Sequence, residues 1–214
     1  MLKSVLALLL ALLSTRVQAN TLEILLLDNQ GKPLSDAVLW VEPGPAQNQP
    51  TMALMDQQKR QFSPYILPVQ VGTRVSFPNS DPINHHVYSF SPAKRFELRL
   101  HQQKAAPQEM RFDQPGLVTL GCNIHDWMLG FILVLDSPWF AQTDSQGKTR
   151  LHFDAAAGQT LHLWHPRIAA PQEAMNRSVA SDSTLTWQLT SALKRDPRPK
   201  APAMRPQGKG GYVP

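Results

Sequence analysis

One cysteine stands in this chain of 214 residues, and it is surrounded by other metal-binding side chains. The segment Gly121-Cys122-Asn123-Ile124-His125-Asp126-Trp127-Met128 offers a thiolate, an imidazole and a thioether at the spacing Cys-x2-His-x2-Met. Apolar LVTL leads in and FILVL leads out, so the three donors share one tight turn between two expected strands. A fourth donor must come from elsewhere, and His85, 37 residues upstream at the start of HHVYSF, is the candidate. Thiolate and thioether favour Cu(I), and imidazole suits Cu(II) as well. Two histidines, a cysteine and a weak axial methionine therefore point to one copper ion that changes oxidation state with little rearrangement. Zinc disfavours a methionine ligand, and iron–sulfur clusters need more cysteines. A buried inert thiol would leave His125 and Met128 idle. A Cys–His nucleophile pair would want an acidic orienter and an oxyanion loop, and neither is evident. With all four metal positions filled by protein, no substrate can reach the ion, and no enzyme activity is expected.

Such a turn needs strands to hold it, and the texture is all-β. Short runs rich in Val, Leu, Ile and aromatics alternate with Gly, Pro, Asn and Asp, and nineteen prolines argue against long helices. Strands are expected over 21–27, 37–42, 69–77, 85–90, 95–100, 117–121, 129–135, 150–154, 160–164 and 183–190, with one helical candidate over Ala169–Asn176. The motif Asp28-Asn29-Gln30-Gly31-Lys32 recurs as Asp144-Ser145-Gln146-Gly147-Lys148, each with a Gly suited to a tight hairpin turn. The two copies bracket the middle of the chain. They suggest an outer β-sandwich, residues 20–50 plus 137–190, with a second β domain, residues 51–136, inserted through the Pro-rich Pro43–Pro50 and Asp136–Pro138.

The ends carry different information. A positive start at Lys3, an apolar run from Val5 to Leu13 and Val17-Gln18-Ala19 read as a secretory signal over residues 1–19. The run is about half the roughly 20 residues a bilayer crossing needs, so no membrane span is expected after cleavage, and the expected location is the periplasm. A lone thiol in an oxidising compartment needs a reason, and a bound metal supplies one. The net charge of +5 sits at the ends: residues 20–190 carry 13 positive and 15 negative groups, or −2. No nucleic-acid footprint follows from that body. Residues 191–214, rich in Pro, Lys, Arg and Gly, read as a disordered basic tail.

Val71-Gly72-Thr73-Arg74-Val75-Ser76-Phe77-Pro78-Asn79-Ser80-Asp81 resembles the strand pair of plastocyanin-like cupredoxins, and His85-His86-Val87-Tyr88-Ser89-Phe90 resembles their ligand strand. The short Cys122–Met128 loop is similar to that of amicyanin. GCNIHDWM and Trp164-His165-Pro166 resemble the plastocyanin-like proteins named methylamine utilisation proteins, and the outer strands resemble a carboxypeptidase regulatory-like β-sandwich. The resemblance implies a Greek-key cupredoxin sandwich over 51–136, with type 1 copper on His85, Cys122, His125 and Met128. It assigns the upstream ligand to His85, because Val87 takes the Val position. A one-residue slip of the strand would substitute His86, which stands where relatives often carry an Asn that ties the ligand loops together. Ile124 replaces a proline found in some relatives and keeps an N–H that can reach the Cys122 sulfur.

The implied role is single-electron transfer to a transient redox partner through His125, with Trp127, Leu129 and Met55 as the surrounding patch. Two other roles use the same residues: a periplasmic copper chaperone or store, and a binding module whose copper is structural. The chain lacks the Met- and His-rich tracts of copper stores. His101, His152, His162 and His165 form no ligand motif and are expected at the surface or in hydrogen bonds.

Overall fold

The computed structural model describes residues 19–45, 51–102, 106–154, 158–169 and 183–198. Residues 1–18 of the expected signal segment, the helical candidate beyond Ala169 and the chain after Arg198 lie outside the described residues. The described elements are β1 (Ala19–Leu27), β2 (Val38–Glu42), β3 (Met52–Leu54), β4 (Asp56–Gln58), β5 (Gln61–Ser63), β6 (Ile66–Gln70), β7 (Arg74–Phe77) and β8 (His85–Ser91). They continue as β9 (Lys94–Leu100), β10 (Gln108–Arg111), β11 (Gly116–Cys122), β12 (Leu129–Leu135), β13 (Phe140–Gln142), β14 (Lys148–Asp154), β15 (Thr160–Trp164) and β16 (Ser183–Gln188). The chain is all-β as expected, and among the described residues no helix is long and apolar enough to cross a membrane.

Sheets β14-β1-β16 and β13-β2-β15 enclose one core, with Leu22, Ile24 and Leu26 facing Leu39, Val41 and Leu163. Sheet β10-β7-β3 and the five-stranded sheet β6-β12-β11-β8-β9 enclose another, built on Val75, Phe77, Val87, Leu120 and Ile132. A third seam joins the two pairs: Val38, Trp40 and Trp164 meet Ile66, Phe131, Leu133 and Leu135. Trp164 stands edge-on to Phe131 with ring centres 5.5 Å apart. This is why VLWV and FILVL are continuously apolar rather than alternating. Both faces of β2 and of β12 are buried, one in a sandwich core and one in the seam. Each such side chain contributes roughly 1.5–3 kcal/mol by leaving water.

The expected strand over 69–77 is two strands. At Gly72, φ is +91°, and the chain leaves β6, which pairs parallel with β12, for β7, which pairs with β10 and β3. The repeated Asp-x-x-Gly-Lys turns are alike in detail. Asp28 Oδ1 accepts the N–H groups of Gln30 and Lys32 at 2.8 and 2.9 Å, and Asp144 Oδ1 accepts those of Gln146 and Lys148 at 2.8 and 2.9 Å. Both glycines are left-handed, with φ of +78° at Gly31 and +70° at Gly147, and the first turn closes a minimal hairpin in which Leu27 bridges Pro33 antiparallel. Each carries the chain between the two sheets of the first pair, from β1 toward β2 and from β13 to β14. Residues 191–198, expected within a disordered tail, lie along the fold: the Lys194 N–H donates to Arg167 O at 2.7 Å, and Arg198 pairs with Asp36 at 3.1 Å. The Arg198 guanidinium also lies 4.8 Å from the Tyr65 ring centre, so this arm touches both sheet pairs.

Candidate metal centre

Two consecutive turns explain the Cys-x2-His-x2-Met spacing. The His125 N–H donates to Cys122 O at 3.4 Å, and the Met128 N–H donates to His125 O at 2.9 Å. Each three-residue step brings the next donor back to the same end of the sheet. The loop is fastened to β8, where the Asn123 N–H donates to His86 O at 2.9 Å and Cys122 pairs with Val87.

Cys122 Sγ lies 3.7 Å from His85 Nδ1 and 3.6 Å from His125 Nδ1. Donor atoms of the three residues all fall within 4.8 Å of one another, and all three residues are buried. A metal with bonds of about 2.0 Å to nitrogen and about 2.3 Å to sulfur, spread by roughly 120°, needs donors about 3.7 Å apart. The spacing therefore fits one ion among a thiolate and two imidazoles. Met128 is buried beside them in the apolar cluster that includes Cys122.

His85 and His86 divide their tasks by strand alternation. His85 points inward at 2% exposure. His86 faces the other side, where it pairs with Glu97 and its Nδ1 lies 3.4 Å from Asn123 Nδ2. His86 thus contacts the metal loop from the position that the sequence comparison set against an Asn of the resembled proteins.

Behind His85 is a carboxylate. His85 Nε2 lies 2.9 Å from Asp81 Oδ2, and Asp81 also accepts the N–H groups of Lys59 and Arg60 at 2.6 and 2.8 Å. Reciprocally, Asp56 on β4 accepts the Ser80 N–H at 3.1 Å and the Ser80 hydroxyl at 2.7 Å. Two buried carboxylates therefore clamp the β4–β5 hairpin to the loop before β8. Phe62 of that hairpin lies against Gly130, where an added Cβ would sit 2.8 Å from the Phe62 Cβ. The sequence reading missed Asp81 and this hairpin, although Asp81 sits four residues before His85 in NSDPINHH.

The electrostatics follow the packing. Burial opposes charge on His85, but the contacts with Cys122 and Asp81 outweigh it and raise its pKa. Burial likewise works to raise the Cys122 thiol, yet His85 and the backbone N–H groups of His86 and Ile124 lower it overall. His125 is lowered by burial, then by the charges of His85 and Arg60. These shifts favour a thiolate on Cys122 beside a His85 that holds its extra proton, which a bound metal would displace.

The anticipated surface patch is only partly placed together. The Trp127 ring lies 5.1 Å from that of His125 and is half-buried. Leu129 is half-buried against the Phe131 seam. Met55, between β3 and β4, is fully buried in the core cluster with Val75 and Phe77 and so forms no part of a surface patch. Ile124, 55% exposed next to His125, is the apolar residue that projects. Of the other histidines, His152 Nδ1 lies 3.0 Å from Thr21 Oγ1, His162 stacks on Trp40, and His165 is buried.

Compared with family models and with curated proteins, the chain has no match. Among solved structures it is similar to a novel purple cupredoxin from Nitrosopumilus maritimus, at 24% identity and a TM-score of 0.34, covering 39% of this chain and 99% of that one. It is similar to a Cu(I) form of an amicyanin variant, at 21% identity and a TM-score of 0.33, covering 38% of this chain and 80% of that one. It is also similar to a Cu-containing nitrite reductase from Thermus scotoductus, at 20% identity and a TM-score of 0.36, covering 51% of this chain and 28% of that one.

Proposed function

We propose that this chain is an exported, periplasmic type 1 copper protein that passes single electrons between redox partners and performs no bond-making chemistry. The observation that carries the reading is the buried triad in which Cys122 Sγ stands 3.7 and 3.6 Å from two imidazole nitrogens. His85, Cys122 and His125 would hold the ion, with Met128 as the weak fourth donor. Copper, when bound, supplies a one-electron couple. The chain supplies a prearranged set of soft and borderline donors, so little reorganises when the charge changes. It also supplies burial, which keeps water away from the sulfur, and two backbone N–H groups that fix the thiolate.

On the same reading, residues 51–136 are a cupredoxin domain inserted into an outer sandwich of residues 20–50 and 137–190. The supporting observation is that the incoming and outgoing segments run together. An added Cβ at Gly44 would collide with Ser137 Oγ, and Gln70 Nε2 donates to Pro45 O at 3.3 Å and to Asp136 O at 3.4 Å.

The test is an absorption and electron spin resonance spectrum of the copper-loaded protein beside Cys122→Ser. An intense visible thiolate-to-copper band in the wild type, lost in the variant, is expected. A wild-type protein that binds Cu(II) without that band would sink the proposal.

A further inference from the structure

We propose that the surface around the metal loop receives a partner with an anionic, Asp- and Glu-rich docking face, selected by Lys59 and Arg60 at the tip of the β4–β5 hairpin. The inference rests on the electron-carrier reading and names the kind of partner that reading requires.

The tip residues are not there for the turn. Both have left-handed backbones, with φ of +54° at Lys59 and +57° at Arg60. A two-residue hairpin with both positions left-handed favours Asn-Gly, and an ordinary side chain there is strained. Only the two amide N–H groups are used by the fold, as donors to Asp81. Among the described residues neither side chain enters an ion pair, and the Lys59 side chain is exposed.

Their position ties them to the site. Asp81, which holds both amides, also contacts His85 Nε2 at 2.9 Å, and the His85 ring is 5.0 Å from that of His125. Ile124, exposed and next in the chain to His125, gives the metal loop an apolar point. The nearest acids lie beneath the tip rather than on the surface it presents. Asp56 and Asp81 are buried and engaged in hydrogen bonds, Glu97 is paired with His86, and Asp126 lines the groove beside Tyr88 and Phe90 instead. A body of net charge −2 thus presents, at this tip, two cations that enter no ion pair among the described residues, and the Arg60 charge reaches His125 of the metal loop. Charge at the rim of a small, transient interface acts on encounter rate and partner choice.

The test uses hexacyanochromate(III), a redox-inert paramagnetic trianion, on the isotope-labelled protein in its metal-free and Cu(I) forms. Amide signals at 58–61 and 123–125 are expected to broaden. Lys59→Glu with Arg60→Glu, which keeps both N–H donors, should abolish the effect. Lys32→Glu with Lys148→Glu, an equal charge change on the turns of the outer sheet pair, should leave it. A footprint elsewhere, or one indifferent to the hairpin pair, overturns the proposal.

Kinetics give the second arm. The reduced copper-loaded protein gives one electron to hexacyanoferrate(III), which becomes hexacyanoferrate(II). At low ionic strength the hairpin pair should slow this about tenfold and speed oxidation by cationic tris(phenanthroline)cobalt(III). Equal effects from the hairpin pair and the outer pair overturn the proposal. Should charge reversal unfold the protein, Lys59→Gln with Arg60→Gln must give the same directions at smaller size, and unchanged rates and footprint count against it. Absence of the thiolate band in wild type ends the carrier reading, while the trianion footprint still decides this one.

Discussion

Asp81 Oδ2 and His85 Nε2 lie 2.9 Å apart, and that contact decides which imidazole nitrogen faces Cys122. An ionised carboxylate only accepts, so Nε2 carries a proton and Nδ1, 3.7 Å from the sulfur, is the nitrogen left to bind a metal. Removing the carboxylate frees the ring to rotate and to change tautomer. Asp81→Ala is therefore expected to weaken copper binding by about 10–100-fold, the usual effect of losing a partner behind a metal-bound histidine. Competition against a chelator of known affinity measures it. Unchanged affinity would show that packing alone orients His85.

The Ile124 N–H is one of two backbone groups that stabilise charge on the Cys122 sulfur. Withdrawing it makes the thiolate a stronger donor, which favours Cu(II) over Cu(I). Ile124→Pro deletes the donor and is expected to lower the reduction potential by on the order of 50 mV, about 1 kcal/mol for one electron. Redox titration followed in the visible band reads it. A potential that stays or rises removes the role assigned to this N–H.

The same residues show what a sequence discloses. Cys-x2-His-x2-Met was legible because two successive local turns generate it, and local geometry leaves its spacing in the chain. The runs VLWV and FILVL were legible as strands, and their missing alternation records the seam between the sheet pairs. The β4–β5 hairpin was not legible, because strands of three residues show no period and its hold on the site runs through side chains. Asp81 reaches Lys59 and Arg60 across 22 and 21 positions, a pairing that no local pattern encodes. Met55 was misplaced for a related reason: one apolar residue in a polar stretch does not reveal which face it occupies.

Gly130 sits under Phe62, and a Cβ there would lie 2.8, 2.9 and 3.0 Å from the Phe62 Cβ, Cγ and Cδ2. The Phe62 Cβ is fixed to the backbone, so the ring cannot simply swing away and the hairpin must shift. Gly130→Ala is expected to destabilise the protein by about 1–3 kcal/mol. Urea unfolding measures the loss. In a Phe62→Gly background the same change should cost much less, because all three obstructing atoms are gone. Equal penalties in both backgrounds would place the strain elsewhere.

His165 gives the fold a defined response to acid. Burial, reinforced by the charges of Arg167 and Arg198, lowers its pKa from 6.5 to about 4. Its Nδ1 also accepts the Arg167 N–H at 3.2 Å, a bond that protonation of that nitrogen would break. Between about 4 and 6.5 the unfolded chain therefore binds a proton that the folded chain does not, so stability rises with pH across that window and is lost on acidification. The histidine alone is expected to remove about 2 kcal/mol between pH 7 and pH 5. His165→Gln should lower stability by a constant amount but flatten this slope. Urea midpoints of both proteins at pH 7, 6 and 5 test it, and parallel slopes would mean that His165 takes up its proton without opening the fold.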